Sequence, residues 1–204
     1  MIAIIDYKMG NLHSITNAIE FLGGTAVITN DREVILKSEK IILPGVGSFK
    51  VAMDNIRSMR LDEVLDKYAL ELKRPVLGIC LGMQLLATSG EEDGLTKGLG
   101  WIKGQVRKFD AEAMGLPIPH IGFNTVFFCK NEEGLFSGLG EQADFYFVHS
   151  YRMICEDPGD ITGSSKYGID FTAAVRNENI FGTQFHPEKS QTNGLRVLKN
   201  FMDL

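Results

Sequence analysis

Apolar positions along the chain change their spacing in a regular way. Ile2 to Ile5 form an unbroken apolar run, and Leu12, Ile15, Ala18, Ile19 and Leu22 then recur at helical spacing up to Gly23-Gly24. The first run predicts a buried strand and the second an amphipathic helix, a βα opening. The pattern returns with a strand at Ala26 to Ile28, a short helix after Asp31 and a strand at Ile41 to Leu43. A helix across Leu61 to Leu72 and a strand at Pro75 to Ile79 follow. Beyond about Gly100 helical spacing thins. Strand-like runs dominate at Gln105 to Phe109, Thr125 to Cys129, Phe145 to His149, Ala173 to Val175 and Ile180 to Phe185, and a last helix is expected over Gly194 to Phe201. Strand–helix alternation of this kind predicts an α/β fold, a central, mainly parallel twisted sheet with helices on both faces and a more β-rich second half. Ser89 to Gly98, with three glycines and three acidic residues, reads as a surface loop.

At 204 residues and 44% hydrophobic, residues 1–204 suit one domain. The formal charge of −5 leaves no basic footprint for nucleic acid, and no apolar run is long enough to span a bilayer. The N-terminus lacks the basic and apolar regions of a signal peptide. Cys80, Cys129 and Cys155 are an odd set without a CxxC pair, which argues against a disulfide scaffold or structural zinc and for a reducing cytoplasm.

Three segments carry chemistry. Pro75 to Leu86 reads as a buried strand, a Gly-Ile-Cys-Leu-Gly turn and an apolar helix, the form of a nucleophile elbow. It would present Cys80 at the carboxyl end of a strand, against a helix N-terminus that favours the thiolate. A buried structural cysteine between two glycines is the plainer alternative, and the flanking strand and helix weigh against it. Ile180 to Ser190 reads as a strand ending in His186-Pro187-Glu188. In extended backbone, residues two apart project to one side, so Glu188 can orient His186 as a general base while Pro187 stiffens the link. His149 is the rival base, but no carboxylate lies close to it in sequence, so a substrate-lining role is expected; His13 and His120 read as structural. Ile41 to Phe49 is a strand running into Pro44-Gly45-Val46-Gly47. This turn could aim backbone N–H groups at a carbonyl oxygen, and a plain tight turn is equally allowed; the Lys-Ser/Thr of a phosphate loop is absent.

Gly-Ile-Cys-Leu-Gly-Met-Gln at 78–84, Phe-His-Pro-Glu-Lys-Ser at 185–190 and Pro-Gly-Val-Gly at 44–47 resemble the class I glutamine amidotransferases over nearly the whole chain. Within that family, Asp6-Tyr7, Met9-Gly10-Asn11, Pro119-His120-Ile121-Gly122-Phe123-Asn124 and Val148-His149-Ser150-Tyr151 resemble the glutaminase subunits of imidazole glycerol phosphate synthases. The resemblance implies a flavodoxin-like fold, Cys80 as nucleophile, His186 as base and Glu188 as its orienter. It implies oxyanion donors at Val46, Gly47 and Leu81, and glutamine held by Gln84 with His149, Ser150 and Tyr151. It further implies a heterodimer with a (β/α)8 barrel cyclase that receives the ammonia, with Asn11, Phe123 and Lys189 near the interface, and neither metal nor cofactor. Two residues depart from the family pattern: Lys8 stands where glycine is usual and Phe123 where tryptophan is usual. Paralogues serving a sugar-modifying amidotransferase in surface-polysaccharide synthesis share the resemblance. A stand-alone γ-glutamyl cysteine hydrolase is the remaining enzyme alternative, and a regulatory subunit without catalysis is the binding one.

Overall fold

The computed structural model describes residues 1–129 and 134–204. Its strands are β1 (Ile2–Ile5), β2 (Ala26–Thr29), β3 (Lys40–Leu43), β4 (Val76–Ile79), β5 (Ala87–Gly90), β6 (Thr96–Lys97), β7 (Ile102–Lys108), β8 (His120–Phe128), β9 (Gln142–His149), β10 (Tyr151–Cys155), β11 (Ile161–Tyr167), β12 (Ile169–Asn177) and β13 (Ile180–Thr183). The helices are α1 (Leu12–Phe21), α2 (Arg32–Lys37), α3 (Phe49–Ser58), α4 (Leu61–Asp66), α5 (Leu81–Leu85), α6 (Ala111–Met114) and α7 (Gln191–Asp203). Among the described residues no helix is long and apolar enough to cross a membrane.

Nine strands form one sheet in the order β2-β1-β3-β4-β13-β12-β11-β8-β9. The α/β alternation of the first half produces the parallel strands β2-β1-β3-β4, and β13 from near the end of the chain joins β4 in parallel. The β-rich second half adds an antiparallel extension from β13 outward. In the parallel part both faces are covered, so the strands are mostly apolar on both sides, and alternate residues feed two cores. Ala3, Ile5, Ile41 and Leu43 enter one core with Phe49, Met53 and Ile56 of α3 and Leu61, Val64 and Leu65 of α4. Ile2, Ile4, Ile42 and Leu77 enter the other with Ile15 and Ile19 of α1 and Val197, Leu198 and Phe201 of α7. A substitution such as Ile4→Ala would empty a fully buried site and cost on the order of 2–5 kcal/mol.

Several expectations are corrected. The segment 89–98 is not simply a surface loop: Ser89 and Gly90 end β5, and Thr96–Lys97 pair back on them as β6. Both belong to a second sheet, β10-β7-β5-β6, which the alternation did not announce. The helix expected across 61–72 is α-helical only to Asp66 and continues as a π-turn over Lys67–Glu71. β13 stops at Thr183 rather than Phe185. Helix α3 was not expected; Ser48 caps it by accepting from the Val51 N–H, and Phe49, Ala52, Met53 and Ile56 give its buried stripe.

Candidate active site

The three chemistry-bearing segments converge at the carboxyl ends of β3, β4 and β13, where parallel α/β sheets place their ligands. Cys80 lies between β4 and α5 with φ +54° and ψ −108°, a conformation that costs a non-glycine residue of order 1–3 kcal/mol. The strain thus sits on the cysteine itself and not on the glycines beside it, which serve close packing. A Cβ on Gly82 would lie 1.8 Å from the Leu43 carbonyl oxygen, and one on Gly78 would lie 2.7 Å from the backbone of Gly82. The Cys80 N–H donates to the Thr183 carbonyl at 2.7 Å, which ties the elbow to β13.

From the end of β13 the chain delivers His186 and Glu188. His186 Nδ1 and Glu188 Oε1 are 2.8 Å apart, with side chains only 3% and 2% exposed. The link is not extended backbone: Pro187–Lys189 form a 3-10 turn, closed by Ser190 Oγ donating to the His186 carbonyl at 2.6 Å. Burial opposes a charge on His186, but the neighbouring Cys80 and Glu188 outweigh it and hold the imidazole well above its usual range. Its Nε2 makes no hydrogen bond to any described residue. Cys80 is 6% exposed and the surroundings of its sulfur are polar, with the Val148 carbonyl at 3.8 Å and Gln184 Nε2 at 3.7 Å.

A cleft of about 510 Å³ opens over this sulfur, large enough for an amino acid. Val46, Gly47, Leu81, Gln84, His149, Ser150, Tyr151 and Lys189 line it with Cys80. Every residue expected at the nucleophile, the oxyanion turn and the substrate therefore meets in one place, while His186 and Glu188 are not part of the cleft lining. The Pro44–Gly47 turn is anchored at both ends and open in the middle. Tyr7 Oη donates to the Pro44 carbonyl, while Asp93 and Glu92 accept from Ser48 Oγ and the Phe49 N–H at 2.8 Å each. Between these ties Val46 is 42% exposed and Gly47 has φ +107°.

His149 is also buried, and burial pushes it down to about 3. Its Nδ1 is 2.8 Å from the Tyr151 carbonyl oxygen and its Nε2 is 3.0 Å from Nδ1 of His120. His120 thus has a specific partner that adjacency in sequence could not reveal; burial lowers it to about 4. His13, by contrast, is exposed on α1. Asn11 caps α1 through its contact with the Ser14 N–H at 3.4 Å, Phe123 is 52% exposed and packs edge-on to Tyr146, and the Lys189 ammonium sits over the Tyr146 ring at 5.8 Å. Asn11, Phe123 and Lys189 take no part in the His186–Glu188 pair or in the sulfur's own contacts. Gln184 is the site residue that reading the sequence missed. Its signal was a polar amide between the strand run Ile180 to Thr183 and Phe185, two residues before His186.

The sequence profile described as glutamine amidotransferase class-I matches residues 3–204. The chain is 50% identical, over 99% of its length and 98% of the relative's, to "Imidazole glycerol phosphate synthase subunit HisH 2" of Methanococcus maripaludis. It is 46% identical over the whole of both chains to "Imidazole glycerol phosphate synthase subunit HisH 1" of Campylobacter jejuni subsp. jejuni serotype O:23/36. Its fold superposes on a solved glutamine amidotransferase with a TM-score of 0.76 at 17% identity, covering 98% of this chain and 97% of the other. A cysteine elbow facing a buried histidine–glutamate pair, in a chain matched end to end by that profile, places this protein in the class I glutamine amidotransferase family.

Proposed function

We propose that residues 1–204 act as one glutaminase unit that splits glutamine into glutamate and ammonia and passes the ammonia to a separate synthase subunit. The observation that carries this reading is the His186–Glu188 pair, 2.8 Å apart and buried, with Cys80 close enough to act on the His186 imidazole. The Cys80 thiolate attacks the amide carbon, and backbone N–H groups of the Val46–Gly47 turn and Leu81 hold the oxyanion. The C–N bond breaks as His186 gives its proton to the departing nitrogen, leaving a glutamyl thioester and ammonia. Water, deprotonated by His186, then attacks the thioester, releases glutamate and returns Cys80. Gln84, His149, Ser150 and Tyr151 hold the substrate.

The relatives named imidazole glycerol phosphate synthase subunits support a partner of (β/α)8 barrel type that uses the ammonia to make imidazole glycerol phosphate and AICAR in histidine biosynthesis. Asn11, Phe123 and Lys189 contribute to that interface, and the compartment is the cytoplasm. Ammonia freed into water would protonate and diffuse away, so a glutaminase that acts only when its partner is loaded is the economical arrangement. The doubly anchored turn, open at Val46–Gly47, is the segment suited to respond. Cys80→Ala tests the chemistry: glutamate release should vanish while the partner still makes its product from added ammonia. Glutamine hydrolysis surviving in Cys80→Ala would remove the proposal, and a full rate in the isolated chain would remove the gating.

Lys8 favours a second reading of the partner. It holds φ +66°, a conformation natural to glycine, and puts an exposed cation in a segment expected to face the synthase. A sugar-modifying amidotransferase is the other recipient to test. Stimulation of glutaminase by one synthase and not the other decides between them.

A further inference from the structure

Gln184 is wholly buried, and its side-chain nitrogen lies 3.7 Å from the Cys80 sulfur. An amide can be placed either way round, so the direction of donation has to be derived. The Tyr151 carbonyl oxygen can only accept, so the group facing it at 3.1 Å from Gln84 is the NH2. That same NH2 is 3.0 Å from the Gln184 side chain, which must therefore present its oxygen. The Gln184 NH2 is then left facing the sulfur. One carbonyl of β10 thus sets two amides in series, and the second aims an N–H at Cys80.

We propose that Gln184 is a positioning residue for glutamine hydrolysis: its N–H holds the Cys80 sulfur as an acceptor and favours the thiolate, and Gln84 keeps Gln184 in that orientation. The inference rests on Cys80 being the nucleophile. An N–H bonded to an ionised acceptor is stronger than one to a neutral acceptor, so the contact tightens when the thiol loses its proton. It also holds the sulfur from a group that takes no part in proton transfer, so His186 Nε2 stays free for the proton. Gln84 lies one helical turn beyond Cys80 on α5 and lines the cleft, so substrate that pulls on Gln84 also loosens or tightens the hold on the sulfur.

The test is the pH dependence of iodoacetamide alkylation at Cys80 in the full chain, with the modified peptide identified by mass. Gln184→Met keeps the volume and removes the donor. Its alkylation midpoint should rise by about one pH unit, and basal kcat for glutamine should fall about tenfold with KM changed less than about twofold. Gln184→Glu keeps the acceptor for Gln84 but sets a carboxylate against the sulfur, so its midpoint should rise further. Should Gln184→Met not fold, Gln184→Glu decides; should neither fold, Gln84→Met, which frees Gln184 to turn, should show a smaller rise in the same direction. A parental midpoint in these variants, even with lowered thermal stability, would reduce Gln184 to packing and overturn the proposal. An active Cys80→Ala would instead overturn the nucleophile on which it rests.

Discussion

The ends of β13 and β9 each bury a histidine near the same sulfur, and the two imidazoles are held in opposite ways. His186 spends Nδ1 on a carboxylate and leaves Nε2 without a hydrogen bond to any described residue. His149 spends both nitrogens, Nδ1 on the Tyr151 carbonyl and Nε2 on His120. The carboxylate, with Cys80, supports a proton on His186 against the penalty of burial, whereas the Tyr151 carbonyl supports one on His149 too weakly to offset burial and the second imidazole opposes it, so His149 stays neutral. Position near a nucleophile does not make a base. What separates these two is the charge of the group behind the ring and a free nitrogen in front of it.

Exchanging each histidine for asparagine is the severest way to break this contrast. His186→Asn should lower kcat for glutamine by roughly 10²–10⁴, the range for a general acid–base group, with the protein still folded. His149→Asn should cost less than about tenfold and act mainly on KM, because the ring lines the cleft and stays uncharged. Equal losses in the two variants would end the distinction. Glu188→Gln comes next, at the lower end of the same range, since the amide keeps the shape but no longer stabilises imidazolium. Steady-state glutaminase assays read all three.

Much of the His186 side of this comparison was legible in the sequence, and little of the His149 side was. The elbow is local: the strand, turn and helix that build it lie within Pro75 to Leu86, so pattern alone placed Cys80 correctly. His186 and Glu188 are two residues apart, and their pairing survived even though the backbone between them is a 3-10 turn. The His120–His149 contact depends on the antiparallel register of β8 and β9, which sets these residues opposite one another. Register between strands with a long connection is a tertiary property, and nothing in either strand alone specifies it. The second sheet was hidden for a different reason. Ala87-Thr88-Ser89-Gly90 is short, small and polar, with none of the β-branched apolar alternation that marks a strand. Helix α3 was hidden behind the glycine-rich turn before it, although its apolar spacing was there to be read.

A smaller effect separates the two histidines by pH. In the unfolded chain both titrate near 6.5. Below that value the unfolded state takes up protons that His149 and His120 refuse in the folded state until about pH 3 and 4, so stability falls as pH falls. Each group contributes a slope of at most about 1.4 kcal/mol per pH unit. His186 works in the other sense. Folding raises it, so its contribution is complete below about 6.5 and fades as pH rises toward its folded value. Urea midpoints at pH 5, 7 and 9 should therefore peak near neutrality. His149→Asn should flatten the acid limb and leave the alkaline limb, and His186→Asn should do the reverse. An acid limb untouched by His149→Asn would show that other groups set it.

The smallest expected effect lies at the outer end of the His149 side. The Tyr151 carbonyl only accepts, so His149 carries its proton on Nδ1 and accepts at Nε2 from the Nδ1–H of His120. His120 Nε2 is then an acceptor, which the Asn124 NH2 meets at 3.3 Å while also donating to the Lys166 carbonyl at 2.9 Å. The hydrogen bonds all run one way, from a half-exposed amide on β8 to a carbonyl at the cleft. His120→Leu removes the donor that faces His149 Nε2 among the described residues and should cost about 1–3 kcal/mol, the penalty for a buried polar atom left unpaired. Asn124→Ala should cost about 1 kcal/mol or less and change kcat less than about threefold, because water can reach its place. Nitrogen-15 spectra of the imidazoles should find both rings in the Nδ1–H form in the parent, with His149 unchanged in Asn124→Ala. A His149 ring protonated on Nε2 would reverse the direction of the chain and, with it, the reason His149 is barred from serving as the base.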